Sequence, residues 1–370
     1  MSAELVDSTS PSRKRESCEK PVAEKTQSKR QAISSLQKLT AHTEVVVDSA
    51  KLSDAKKATD ATTNPSLILA AAMAPESEAM VKEVVTKALA SVSEEAGEEE
   101  KLRVVVQHLM AEFVKKISES VPGLVSFEVD PEYSFDSELT VKRAKELLEF
   151  FKTQNIPIER LLVKVAATWE GIQAAQKLEQ ENIHTNLTLL FSFCQAVACA
   201  DAKAYLISPF VGRITDWYCE HNAKSQNRPI GDIKKEYEQA PETDPGVLAV
   251  RRIYNFYKKN DVPTLVMGAS FRNAGQVKSL CGCDKLTIPP SIINALDAEV
   301  DDGTLELALS KDSAADKCLD DVKRPMDEQT FRWSLNEDQM ATEKLSEGIR
   351  KFNADWVKLK TFIKEKYFTA

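Results

Sequence analysis

Short β-rich runs alternate with helix-like segments along most of this chain, and that alternation limits the fold more than any other feature. The runs are Glu44–Asp48, Ala61–Asn64, Leu124–Glu128, Leu161–Val165, Asn186–Leu189, Tyr205–Ser208, Thr264–Gly268 and Lys285–Ile288. Amphipathic or buried helical patterns lie between them, such as Thr140–Phe151, Trp169–Glu179 and Phe193–Ala200. Strands separated by helices pair in parallel. Eight of them in one chain predict an α/β fold with a single closed (β/α)8 barrel. A doubly wound open sheet is the alternative. No Gly-x-Gly-x-x-Gly follows any run, so dinucleotide binding has no support. The length of 370 residues suits such a barrel with additions.

The additions are at the two ends. Residues 1–35 are polar with no apolar period, and such a segment cannot bury enough surface to offset its ordering entropy. They are expected to form a disordered tail, leaving 36–370 as the catalytic domain. Ser12-Arg13-Lys14-Arg15 reads as plain solvated tail or as a nuclear-localisation patch. From about Phe331 onward the pattern is helical, with Trp333, Phe352 and Trp356 available to pack on the barrel. The acidic run Glu94–Glu100 reads as a solvated helix or loop end, and Cys219–Pro245 as a long loop with some helix.

Charge and composition narrow the function. A net charge of −8 argues against nucleic acid or an anionic membrane as partner. No apolar run approaches the roughly 18 residues that span a bilayer, and no apolar signal-peptide core opens the chain. The 7 cysteines form no disulfide framework and no paired zinc spacing. They read as buried reduced thiols, which places the protein in the cytoplasm. With 4 scattered histidines, no metal site is expected.

Polar residues inside the runs carry the chemistry. Alternate strand residues face opposite sides. In Leu161–Val165 the odd positions are apolar and suit the helix-covered face, so Lys164 points inward. In the same phase Val45 and Val47 face out and Asp48 in. Val125, Phe127 and Val129 face out; Ser126, Glu128 and Asp130 face in. Leu187 and Leu189 face out; Asn186 and Thr188 face in. Ser208 faces in, and Thr62 shares its phase with Asn64. Barrel enzymes work at the C-terminal ends of their strands. A buried carboxylate or ammonium is costly unless paired, so Glu128 and Lys164 on adjacent strands are either a structural ion pair or a catalytic pair. Convergence of Asp48, Asn64, Glu128, Lys164, Asn186, Thr188 and Ser208 on one rim favours catalysis. A desolvated lysine is a nucleophilic amine that condenses with ketones. Asp48 and Glu128 are candidate acid/base groups, Thr188 a holder of water, and Asn64 and Asn186 binders of sugar hydroxyls.

Two loops supply positive charge. Ser208-Pro209-Phe210-Val211-Gly212-Arg213 and Gly268-Ala269-Ser270-Phe271-Arg272-Asn273 follow the sixth and seventh runs. Taken singly, each arginine more often pairs with a surface carboxylate. Together, with Ser and Gly beside them, they fit a phosphate.

At these residues the chain resembles the transaldolase family. Asp60-Ala61-Thr62-Thr63-Asn64-Pro65-Ser66-Leu67 resembles its first signature, and Leu162-Val163-Lys164-Val165-Ala166-Ala167-Thr168-Trp169-Glu170-Gly171 its active-site segment. Asn186–Ser192 and the two loops above also match, in order, and the likeness runs from about Leu36 almost to the end. The resemblance implies transfer of a dihydroxyacetone unit from sedoheptulose 7-phosphate to glyceraldehyde 3-phosphate, giving erythrose 4-phosphate and fructose 6-phosphate. It implies a Schiff base on Lys164, with Asp48 as the acid/base at the cleaved bond. Glu128 and Thr188 would position a water, and Asn64, Asn186 and Ser208 would hold hydroxyls. Arg213, Ser270 and Arg272 would hold the phosphate, with Phe210 beside the substrate. No cofactor is implied, and members of this length are commonly homodimers. The chain departs from the family pattern at Ser49-Ala50-Lys51, which replaces the usual Thr-Gly. It departs also at Phe127, where a Thr precedes the Glu, and at Pro131-Glu132-Tyr133, which replaces a segment with Ala and Arg. Barrels of the same kind that release free dihydroxyacetone carry Gln at the position of Glu128 and Tyr at that of Phe210. An idle barrel kept for binding partners is the reading from a different class.

Overall fold

A computed structural model describes residues 33–49, 58–301, 303, 305–321 and 324–368. The expected tail up to residue 32, the Ser12–Arg15 patch and the departure at Ala50-Lys51 lie outside the described residues. Eight parallel strands close a barrel in sequential order, β1 (Glu44–Asp48), β2 (Asp60–Thr62), β3 (Val125–Glu128), β4 (Leu161–Ala166), β5 (Thr185–Leu190), β6 (Leu206–Pro209), β7 (Leu265–Gly268) and β8 (Lys285–Ile288), with β8 pairing back to β1. The closed barrel replaces the open-sheet alternative.

The alternation read from the sequence divides the strand residues into two packed sets. Val45, Val47, Phe127, Val163, Val165 and Leu187 join the large core between the strands and the helices. Val46, Leu162, Leu206 and Met267 form a separate apolar cluster inside the barrel, a filled interior rather than a pore. Beneath that plug, at the first residues of β1, β2 and β8, the Lys285 ammonium contacts both Glu44 and Asp60 at 2.6 Å. Burial pulls the Lys285 pKa down, but hydrogen bonds from Lys285 to the two carboxylates outweigh it and hold the pKa above the ordinary value. Above the plug the inward residues are polar.

Helices start where the sequence supplies caps. Asn64 caps Pro65–Met73, Thr168 caps Trp169–Gln180 and Asp244 caps Pro245–Lys259, each side-chain oxygen meeting an N–H that the helix leaves free, while at the start of Phe193–Asp201 the Ser192 N–H donates to Gln195 Oε1 at 2.9 Å. Glu98, Glu99 and Glu100, from the acidic run, open the Glu98–Ser120 helix, where the positive end of the helix dipole favours carboxylates. The stretch expected to be mostly loop, Cys219–Pro245, is more ordered than its composition suggests. It holds the end of the Val211–Ser225 helix, a second helix Ile230–Gln239 and a 3-10 turn at Pro241–Thr243.

Leu189 departs from its expected outward place. It has a left-handed backbone (φ 54°), and the β5–β6 register shifts between Leu187 and Leu190. The break turns Leu189 into a cluster with Phe191, Phe210, Leu345 and Phe352. The last two belong to the C-terminal helix, Gln339–Ile363. Gly348 makes that approach possible, because a Cβ there would lie 2.7 Å from Leu189 Cδ2. The expected C-terminal helices are therefore a working part of the barrel's upper end.

Candidate active site

Register brings the predicted residues into line. Glu128 pairs with Lys164, Lys164 with Asn186 and Ala166 with Thr188 across neighbouring strands. Lys164 is 4% exposed and Glu128 6%. The Lys164 Nζ donates to the Thr63 carbonyl at 3.1 Å, and Glu128 Oε2 lies 3.7 Å from it, a charge contact longer than a hydrogen bond. Burial pushes the Glu128 carboxyl up to about 7, against the opposing pull of Lys164. Asp48 is likewise raised by burial, opposed first by Lys164 and then by a hydrogen bond from Thr62, whose Oγ1 donates at 3.2 Å. A carboxylate poised near neutrality beside a buried amine fits acid/base work.

Lys164 and Asp48 line one cavity of about 160 Å³ with Asn64, Ser208, Phe210, Arg213 and Ser270. The other predicted residues stand differently. Asn186 is fully buried, and its amide is engaged on both sides: Nδ2 donates to Ser126 Oγ at 2.9 Å, and Oδ1 accepts from Ser208 Oγ at 2.6 Å. It fixes the Ser208 hydroxyl at the cavity wall rather than lining the wall itself. Glu128 and Thr188 also stand behind the wall. Glu128 Oε2 and Thr188 Oγ1 are buried with no hydrogen-bond partner among the described residues, an arrangement that asks for a polar guest. Asp130, read as inward, lies past the end of β3, where it caps a 3-10 turn at Pro131–Tyr133.

Two loops close the rim. The N–H groups of Val211 and Gly212 donate to the carbonyls of Ala269 and Ser270 at 2.9 and 3.0 Å. A Cβ on Gly212 would lie 2.3 Å from the Ser270 carbonyl oxygen, so only glycine lets the two strands' loops zip together. Ser270 itself takes a left-handed backbone (φ 62°), a strained position of the kind found at functional sites. Arg213 lies between the Phe210 and Phe352 rings, 5.2 and 5.4 Å from their centroids. Its Nη1 is buried with no partner among the described residues, and burial lowers its pKa. Arg272 is exposed and outside the cavity; it pairs with Asp216 at 2.8 Å and donates to Ser270 O and Oγ at 3.0 and 3.3 Å. The pairing with a surface carboxylate, weighed for each arginine, holds for Arg272.

Sequence reading missed several wall residues. Thr62, Thr287 and Met267 follow from strand phase and were within reach of it; Ser66, Lys351 and Phe352 come from helices. Only the three-dimensional path of the C-terminal helix brings Lys351 and Phe352 here. Among the described residues, no group of three or more His, Cys, Asp or Glu is placed to hold a metal, and no helix is long and apolar enough to cross a membrane.

Comparison with known proteins agrees with this geometry. Residues 33–363 match the family described as transaldolase/fructose-6-phosphate aldolase. Transaldolases of Rattus norvegicus and Homo sapiens are each 46% identical over 341 residues, covering 91% of this chain and 95% of theirs. A transaldolase of Rhizobium etli is 46% identical over 310 residues, covering 84% of this chain and 89% of its own. The chain thus belongs to the transaldolase/fructose-6-phosphate aldolase family and is an enzyme of the transaldolase kind.

Proposed function

We propose that the enzyme reversibly transfers a dihydroxyacetone unit from sedoheptulose 7-phosphate to glyceraldehyde 3-phosphate, forming erythrose 4-phosphate and fructose 6-phosphate in the non-oxidative pentose phosphate pathway. The observation that carries this reading is the buried Lys164–Glu128 pair at the C-terminal end of a closed barrel, with Asp48 and Arg213 at the same cavity. The Lys164 amine attacks the donor ketone and, with loss of water, forms an imine. Asp48 takes the proton from the hydroxyl on the far carbon, the carbon–carbon bond breaks, and the electron pair is held by the imine. The aldose phosphate leaves, an acceptor aldehyde enters, and the steps reverse. Glu128 and Thr188 hold the water of imine formation and hydrolysis, which accounts for their orphaned oxygens. Asn64 and Ser208 fix the hydroxyls, and Asn186 acts through the Ser208 hydroxyl that it holds. The phosphate falls to Arg213, Ser270 and Arg272, with Arg272 already bonded to Ser270.

Family resemblance extends the proposal to a homodimer; the reading of the cysteines as reduced thiols extends it to the cytoplasm, and the polar composition of residues 1–32 to a tail outside the catalytic domain whose basic patch sends a fraction to the nucleus, whereas Ser34 and Ser35, expected in that tail, are the cap and the buried first residue of a helix. One experiment tests the chemistry. The enzyme is incubated with fructose 6-phosphate, reduced with borohydride and mapped by mass spectrometry. The expected adduct is a dihydroxyacetone unit on Lys164; sugar trapped elsewhere, or not at all, overturns the mechanism. Adding an aldose phosphate acceptor before reduction then separates transfer from simple cleavage.

A further inference from the structure

A second cavity, of about 300 Å³, lies between the Glu98–Ser120 helix, the Ser137–Thr153 helix and the C-terminal helix. The proposed transfer makes no use of it. Its apolar part comes from Leu102, Val106, Met110, Leu147 and Trp356. An apolar cavity of roughly 150 Å³ accepts benzene, so this one has room for a body of two fused rings. Tyr133 adds an aromatic wall, with the Arg143 guanidinium 5.9 Å from its ring centroid.

The polar part sets the cations Arg103, Arg143 and Lys360 among the carboxylates Glu99, Asp130, Glu132 and Glu146, yet leaves one donor unmet. Arg103 and Arg143 both border the cavity, and their charges oppose one another. Arg103 gives Nε and Nη2 to Glu100 at 2.9 and 2.6 Å. Arg143 gives Nη1 to Glu146 at 2.6 Å, but its Nε is buried with no partner among the described residues. A buried donor without a partner is costly, and more so on a charged group. The carboxylates nearby do not serve it: Glu146 takes Nη1, and Asp130 is 3.6 Å from Lys360 and accepts from the Glu132 N–H. Glu99 and Glu132 are exposed.

We infer that this cavity is a second ligand site, for a small aromatic carboxylate whose rings lie against Met110 and Trp356 and whose carboxylate accepts from Arg143 Nε. Its position ties it to the catalytic cavity. Pro131-Glu132-Tyr133, the segment that departs from the family pattern, forms the turn directly after β3 and carries Tyr133 to the cavity wall. Trp356 lies one helical turn beyond Phe352 on the same face, and Phe352 lines the catalytic cavity. A ligand here therefore touches both the segment after Glu128 and the helix that covers Lys164.

The test uses the full chain and 2-naphthoate, followed by calorimetry and by tryptophan fluorescence. Saturable one-to-one binding in the sub-millimolar range is expected, not displaced by fructose 6-phosphate. The neutral analogue 2-naphthalenemethanol should bind about tenfold more weakly, because it loses a charge-assisted hydrogen bond. Arg143→Met should lose a similar factor for naphthoate and none for the alcohol. Leu102→Trp should fill the cavity and abolish binding of both while turnover is retained, which keeps the test decisive if Arg143→Met fails to fold. Absence of saturable binding, equal affinity for acid and alcohol, wild-type binding by Leu102→Trp, or competition with fructose 6-phosphate would each overturn the assignment.

Discussion

Burial of the Glu128 carboxyl holds its pKa at about 7 even with the Lys164 ammonium 3.7 Å away. Because this folded-state pKa lies above the ordinary carboxylate value, the neutral form favours folding. That stability is fully present below the ordinary carboxylate range and is lost as pH rises through about 7. Catalysis, on the proposed mechanism, needs the opposite state, an ionised Glu128 that orients the imine water. The kcat/KM profile should therefore rise with pH to a plateau, with an acidic limb near neutrality, while thermal stability declines over the same range. Glu128→Gln should remove that limb and flatten the stability profile. It should slow turnover by about a hundredfold, the usual scale for a lost acid/base group, and still trap sugar on Lys164. An unchanged acidic limb in Glu128→Gln would assign the titration to another group, Asp48 being the first alternative.

A single buried carboxylate organises the elements that carry the loops proposed to hold the phosphate. Asp244 caps the Pro245–Lys259 helix through the N–H groups of Gly246 and Val247 at 2.8 and 3.2 Å, and accepts from Thr215 Oγ1 at 2.7 Å and Gln276 Nε2 at 2.8 Å. Thr215 sits on the helix that bears Arg213, and Gln276 Oε1 accepts from the Arg272 N–H at 2.8 Å. Asp244→Ala should destabilise the fold by about 3 kcal/mol, from several unmet buried donors. Steady-state kinetics should show a KM for fructose 6-phosphate raised about tenfold with kcat little changed, and turnover of unphosphorylated fructose unaffected. None of this network was legible in the sequence, because its members are brought together only by tertiary packing. The strand ends were legible because inward polar residues there, such as Lys164, Asn186 and Thr188, alternate with outward apolar ones; the inward apolar plug of Val46, Leu162, Leu206 and Met267 carries no such contrast, and Leu189 failed where its left-handed backbone interrupts the phase. The Ile230–Gln239 helix was read only as some helix within a loop for a different reason: its apolar stripe is short, Ile230, Ile233 and Tyr237, and of these Ile233 alone is buried. Arg272 could be recognised as a loop arginine, but its pairing with Asp216 on another helix could not.

Across the whole molecule the barrel interior is layered: an ionic cluster at the strand starts, an apolar plug, and the proposed catalytic groups at the strand ends. It therefore contains two buried lysines with different neighbours, and their removal should have opposite consequences. Lys285 neutralises Asp60, which is 7% exposed at its side chain and also accepts from the Leu124 N–H at 2.7 Å. Lys285→Met leaves that carboxylate buried without its counterion, which should cost about 3–5 kcal/mol and lower the melting temperature by several degrees. Because the apolar plug separates it from the cavity, kcat of the folded fraction should be retained. Lys164→Met should abolish borohydride trapping and turnover but cost little stability. The residue it leaves behind, Glu128, already has a pKa near 7 and can discard its charge by taking a proton. Calorimetry and trapping on the two variants decide this. Loss of activity in well-folded Lys285→Met would show that the two ends of the barrel are coupled through the plug.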